Sequence, residues 1–226
     1  RHLYESYQAL VNQQKIDAVY IATPVHLHAE HSMAALKKGK AVLCEKPPAM
    51  NSSEAREMAK VSRETGTILS YGFMERYNPC VGRLKQLLES NQFGNIYAVR
   101  ATVMFYEEWS AWRLNPLLSG GGIVMDVGIH ALDLIRYLFG EFVSICGCCH
   151  QEDDTTEDTA TIAAEMLDGT CVTINISRCT PDMRTEANQL EIWCSNATII
   201  VQDMFCQEVR QKLELRSVDN RQVIHF

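Results

Sequence analysis

The 226-residue sequence is sparing with the residues that punctuate a chain: it has six prolines, twelve glycines and three tryptophans. No low-complexity linker and no internal repeat occurs, which excludes a repeat solenoid or a string of tethered modules. No apolar run approaches the roughly 20 residues of a membrane span, and residues 1–30 contain neither a signal-type apolar region nor a cleavage site. A basic tract interleaved with aromatics is also missing, and the formal net charge of −7 argues against a general nucleic-acid binder. The expectation is an ordinary cytoplasmic globular protein with neither a membrane nor a nucleic acid as partner. With 46% hydrophobic and 22% charged residues, it has material for one large or two small domains.

Charge is unevenly spread. Residues 1–72 hold nine Lys/Arg against seven Asp/Glu, net +2, and residues 73–226 hold twelve against twenty-one, net −9. A slightly basic first part suits an anionic cofactor. Nine cysteines without an extracellular signature fit a reducing compartment with free thiols. Cys146-Gly147-Cys148-Cys149-His150 matches the Cys-x-x-Cys-His spacing of haem attachment. However, it lies in a strand-like segment with no second Cys/His pair at ligand spacing, so it reads as a strand with small buried thiols.

Two further clusters resemble metal sites only on paper. His26, His28 and His31 flank a helix start with no carboxylate or cysteine to complete a metal set, so no metal site is expected. The acidic run from Glu152 to Asp158 lacks the glycine of a calcium loop and reads as a solvated turn.

The first 72 residues alternate strand and helix, the pattern of parallel βαβ units. Residues 17–22, 41–44 and 67–71 are short apolar runs, of the kind that form strands covered on both faces. Between them, Ala29, Met33 and Leu36 supply a helix face closed by Gly39. A second helix follows a capping box at Asn51 and Glu54 and stops at Gly66. After residue 72 the rhythm changes. A helix starts at Asn78-Pro79, a strand covers 96–103, and a run of strands follows at 142–149, 158–167, 170–178, 188–194, 197–202, 207–216 and 221–226. Asp168-Gly169 forms a hairpin turn. The fold class is therefore α/β: a partial parallel-sheet domain over 1–72, then an α+β domain over 73–226 with a large, mostly antiparallel open sheet.

Gly120-Gly121-Gly122 leads into an apolar helix on which Asp126, His130, Asp133 and Tyr137 share one stripe at about 100° per residue. A narrow polar stripe on an apolar helix is either a satisfied structural network or a site for general acid/base chemistry. In an open parallel sheet, ligands bind beyond the carboxyl ends of the strands. Two of the three strands end there in polar groups: Thr23-Pro24 with His26 and His28 nearby, and Glu45-Lys46-Pro47. Lys46 can present its charge to a ligand or lie solvated in a loop.

In order along the chain, several of these segments resemble the Gfo/Idh/MocA oxidoreductases. They are Ile21-Ala22-Thr23-Pro24 with His28, Gly39-Lys40-Ala41 through Glu45-Lys46-Pro47, Arg76-Tyr77-Asn78-Pro79, Trp112-Arg113, Gly120-Gly121-Gly122, Asp126-x-Gly128-x-His130 with Asp133, and Glu157-Asp158-Thr159. The resemblance implies a Rossmann domain that holds NAD or NADP, then a second domain that carries a sugar-like or polyol substrate. It implies that Lys46 contacts the substrate hydroxyl and the nicotinamide ribose, and that Asp126 and His130 bind and deprotonate that hydroxyl. Thr23, Pro24, His28, Glu45, Trp112 and Arg113 then line the cofactor.

The implied activity is hydride transfer between a CH–OH group and NAD(P), with His130 as general base. An NAD-dependent glycosidase or a non-catalytic dinucleotide-binding regulator are the alternatives. The open sheet implies a homo-oligomer, dimer or tetramer. The family's Gly-x-Gly-x-x-Gly turn does not occur in residues 1–72, as expected of a family sequence cut before its third strand. Val25 stands where the family commonly has Asn, and Ser195-Asn196-Ala197 where it commonly has a glycine-containing turn.

Overall fold

The computed structural model describes residues 2–152, 155–180, 188–205, 211–217 and 220–226. Contacts between Cα atoms group Arg1–Phe73 with Ser110–Asp126 in one compact unit, and Met74–Trp109 with Val127–Phe226 in another. The division is thus not a single cut near residue 72: one excursion of the chain, Ser110–Asp126, returns to the first unit.

In the first unit, β1 (Ala18–Ile21), β2 (Ala41–Cys44) and β3 (Leu69–Tyr71) form a parallel sheet in the order β1-β2-β3. A short helix α1 (Tyr7–Val11), missed by periodicity because it spans little more than one turn, precedes them. The crossovers are α2 (His28–Lys37) and α3 (Ser52–Thr65). Gly39 follows α2 at φ 71° and Gly66 ends α3 at φ 65°, left-handed positions where a side chain is disfavoured. Asn51 Oδ1 caps Glu54 N at 3.0 Å, and the Glu54 carboxylate returns to Met50 N at 3.0 Å, one residue earlier than a standard capping box. Ile21, Val42 and Cys44 pack with Ala35, Leu36, Met58 and Val61 as the core. The apolar runs suggested strands covered on both faces. Instead Tyr20 and Leu43, paired in register, are exposed on the other face.

The second unit is built on an eight-stranded sheet. Its strands are β4 (Ile96–Met104), β5 (Phe142–His150), β6 (Thr159–Met166), β7 (Cys171–Ser177), β8 (Asn188–Cys194), β9 (Thr198–Gln202), β10 (Lys212–Arg216) and β11 (Arg221–His225). Their order is β11-β10-β9-β8-β4-β7-β6-β5, antiparallel except for the β4–β7 pair. The strand expected over 207–216 appears as Lys212–Arg216, and residues 206–210 lie outside the described residues, as do Asp153 and Asp154 of the acidic run.

Alternate residues build the unit's core: Val99, Ala101 and Val103 on β4, Val172, Ile174 and Ile176 on β7, and Leu190 and Ile192 on β8. Helix α4 (Pro79–Glu89) starts as its Asn-Pro sequence suggests, with Asn78 Oδ1 accepting from Cys80 N. β5 corrects one expectation. It is an edge strand, and Cys146, Cys148 and Cys149 are exposed, not buried.

The stretch Pro116–Phe139 also departs from its sequence reading. By length and composition it is apolar enough to cross a bilayer, whereas the sequence reading expects no run of that length. It is not one regular helix. Gly120, at φ 78°, ends α5 (Pro116–Ser119); a π turn occupies Val124–Gly128; and α6 (Ile129–Phe139) follows. The π turn breaks the 100° progression, so the stripe is regular only from His130 onward.

Candidate functional site

Proline shapes the carboxyl edge of the parallel sheet. Pro24 follows β1 and Pro47-Pro48 follow β2, and a residue without an N–H has no donor to give the ladder. Both chains therefore turn at the same edge, where they meet the Ser110–Asp126 excursion. Gly120 makes that meeting close: a Cβ there would lie 3.2 Å from Met50 Sδ and 3.3 Å from Met50 Cα.

A cavity of about 190 Å³ opens at this edge, lined by Thr23, His28, Glu45, Lys46, Trp112, Arg113 and Asp126 together with Ala22, Val25 and Pro47. Of the candidates in the first unit, Pro24 alone is off the wall; it caps the 3-10 turn Val25–Leu27. Lys46 Nζ donates to Asp126 Oδ1 at 2.7 Å and to the Asp126 carbonyl at 2.7 Å. Arg113 Nε lies 3.3 Å from Asp126 Oδ2, and its guanidinium carbon sits 4.8 Å from the centroid of the Trp112 ring. Both Asp126 oxygens thus face cations. The Asp126 carboxylate thereby orients the Lys46 ammonium.

Glu45 is fixed differently. It accepts a short hydrogen bond from Tyr20 and a second from Lys46 N at 3.2 Å, and a Cβ at Gly72 would lie 3.1 Å from its Oε2. Sequence reasoning passed over Tyr20 and Gly72. The residue types gave no signal, but β1 and β2 in parallel register place Tyr20 one residue from the edge that Glu45 begins. The hydrogen bond to Glu45, together with the charge of that carboxylate, leaves the Tyr20 hydroxyl harder to ionise.

The three histidines diverge. His26 Nδ1 lies 3.4 Å from the Leu118 carbonyl, and the His31 ring packs against Tyr7 at a 40° tilt with centroids 4.1 Å apart. His28 is 1% exposed, with Nδ1 2.8 Å from the Pro47 carbonyl and Nε2 2.7 Å from the Thr23 carbonyl.

His130 is the second residue of α6 and belongs to the second unit. There Asp133 is gripped by Arg76, with Nε–Oδ2 at 2.7 Å, and Tyr137 lies under Lys85 at 3.8 Å and Arg76 at 5.1 Å. Asp133 and Tyr137 are therefore a structural network. Next to Arg76, burial pushes the Glu75 carboxyl up to about 7, a feature the sequence did not signal.

The oxidoreductase-family model for an NAD-binding Rossmann fold matches residues 1–73, and the model for the GFO/IDH/MocA C-terminal domain matches residues 81–200. The chain belongs to the GFO/IDH/MocA oxidoreductase family. Within that family it is 33% identical over 146 residues to levoglucosan dehydrogenase of Pseudarthrobacter phenanthrenivorans, covering 62% of this chain and 37% of that one. It is 35% identical over 140 residues to D-glucoside 3-dehydrogenase of Escherichia coli, covering 61% and 40%. The chain thus matches well under half the length of these curated relatives. A solved levoglucosan dehydrogenase in complex with NADH and levoglucosan superposes with a TM-score of 0.87 at 23% identity, over 99% of this chain and 64% of that one, which establishes the shared fold.

Proposed function

We propose that the complete protein is an NAD(P)-dependent oxidoreductase that transfers a hydride between the CH–OH group of a sugar, polyol or related cyclic alcohol and the nicotinamide. The observation that carries this reading is the Lys46–Asp126 pair in a cavity at the carboxyl edge of a parallel sheet, within a chain of this family. Two of its relatives are named as a levoglucosan and a D-glucoside dehydrogenase.

The residues present fit one end of the cofactor. Lys46, Arg113 and Trp112 bring two cations and an aromatic face to the cavity, suited to an anionic, partly aromatic ligand. Residues 1–72 contain no Gly-x-Gly-x-x-Gly turn, so the fit concerns the nicotinamide end and not the pyrophosphate. The nicotinamide, when bound, accepts or supplies the hydride.

The chain's own residues handle the proton and the charge. An ammonium has three donors, and Lys46 commits two of them to Asp126, which leaves one for a substrate oxygen. That N–H stabilises negative charge on the oxygen as the C–H bond is lost. His130 takes the hydroxyl proton as general base. Asp126 and Arg113 hold the Lys46 ammonium in place. Among the described residues eight cysteines are unpaired, which supports a reducing, cytoplasmic setting. Self-association as a dimer or tetramer through the second unit's sheet completes the proposal.

The test is a panel of sugars and polyols offered to the full-length protein with NAD or NADP. Absorbance of reduced cofactor is expected, nearly abolished in His130→Ala. Unchanged turnover in that variant would remove His130 from the mechanism.

A further inference from the structure

His28 lines the cavity, and its ring is also approached from both sides by backbone oxygens. Each ring nitrogen lies within hydrogen-bonding distance of a carbonyl oxygen, 2.8 Å from Pro47 O and 2.7 Å from Thr23 O. A carbonyl oxygen can only accept, so a hydrogen bond at each end asks for a donor at each ring nitrogen. The ring is almost wholly buried, at 1% exposure.

His28 is also the first residue of α2, directly after the 3-10 turn Val25–Leu27. A buried carbonyl oxygen left without a donor is costly. Among the described residues neither the Thr23 nor the Pro47 carbonyl has another hydrogen-bond partner, and Pro47 is buried.

The two carbonyls belong to the two loops that form the cavity's floor. Thr23 is on the wall after β1, and Pro47 directly follows Lys46 after β2. The parallel ladder stops at Ile21 and Cys44. Beyond it, a hydrogen bond from Glu45 N to Ile21 O at 2.9 Å is the last backbone link between the two segments.

We propose that His28 is a positioning residue: a two-ended donor that ties the Thr23 carbonyl to the Pro47 carbonyl and so sets the separation between the nicotinamide-facing loop and the Lys46 ammonium. For its functional consequence this rests on the reading of the cavity given above. The clamp itself rests on the first unit alone.

Three readouts on the full-length protein test it. In the wild type, nitrogen-15 NMR of selectively labelled histidine is expected to show both His28 ring nitrogens bonded to hydrogen. A ring with one bare nitrogen overturns the clamp, whatever any variant does. In His28→Gln, whose amide can serve one carbonyl, and in His28→Ala, which serves neither, amide hydrogen exchange should quicken in residues 22–27 and 45–50. The α3 helix should keep its protection. Wild-type exchange in both loops of a folded His28→Ala overturns the proposal. Binding of reduced nicotinamide dinucleotide, followed by fluorescence, should weaken by roughly tenfold in His28→Ala, with His28→Gln in between. Faster exchange with unchanged affinity overturns the positioning role. If the wild type binds no dinucleotide while the NMR and exchange results hold, the clamp stands and the reading of the cavity falls.

Discussion

Lys46 Nζ lies 2.7 Å from Asp126 Oδ1 and 2.7 Å from the carbonyl oxygen of the same residue, so one acidic residue sets both the charge balance and the direction of the ammonium. The two side chains are each 22% exposed, partly shielded yet open to a ligand. Lys46→Ala is expected to lower kcat/KM of the full-length enzyme by about 10²–10³-fold, the usual scale for losing one group that stabilises an oxyanion. Asp126→Asn keeps the carbonyl contact and should cost less, about tenfold. Steady-state rates of reduced-cofactor formation check both.

Glu45 is locked between Tyr20, Lys46 N and the bare Cα of Gly72. Gly72→Ala brings a methyl to 3.1 Å from Glu45 Oε2 and must displace that carboxylate. The expected cost is about 1 kcal/mol of stability. Tyr20→Phe removes the same hydrogen bond from the other side, so in a double-mutant cycle by urea unfolding the two losses should fall short of additive.

Glu75 has its folded-state value raised by burial to about 7, from 4.5. A raised carboxylate makes the charged form the costly one in the native state. Its contribution is therefore most favourable below pH 4.5 and is lost as pH rises through 7. Glu75→Gln should stabilise the protein above pH 7 and change little near pH 4. Thermal midpoints measured across that range decide it.

Glu214 behaves in the opposite sense. Fully buried on β10, it accepts from Arg216 at 2.6 Å and from Arg221, and these two arginines hold its carboxyl down at about 2. A depressed value contributes stability that is complete above 4.5 and is lost as pH falls toward 2. Glu214→Gln should lower the thermal midpoint at pH 7, and the gap to wild type should narrow steadily between pH 4.5 and 2.

The elements that were legible in the sequence are those with local causes. Gly39 and Gly66 stop helices, Asn78-Pro79 starts one, Asp168-Gly169 turns a hairpin, and each acts within a few residues. Lys46 was legible only through the ordered set of segments around Glu45-Lys46-Pro47 that resemble the family, since a lysine after a strand suits a solvated loop equally well. What escaped depends on partners distant in sequence. Arg113 meets Asp126 and Tyr20 meets Glu45 only once the chain has folded back. The π turn at Val124–Gly128 escaped because its residues, read in order, suit a regular helix. Exposure of Cys146, Cys148 and Cys149 depends on β5 taking the sheet's edge, which strand spacing does not encode.

The central claim is that the Lys46 ammonium, held by Asp126, meets the oxygen of a sugar-type alcohol while its carbon gives up hydride. The most direct measurement is transfer of deuterium from a sugar deuterated at the reacting carbon to the nicotinamide, followed by mass spectrometry in single turnovers of the full-length protein. Label is expected in the reduced cofactor of the wild type, arriving at least about 100-fold more slowly in Lys46→Ala. Equal rates in the two proteins, or no label in either, would contradict it.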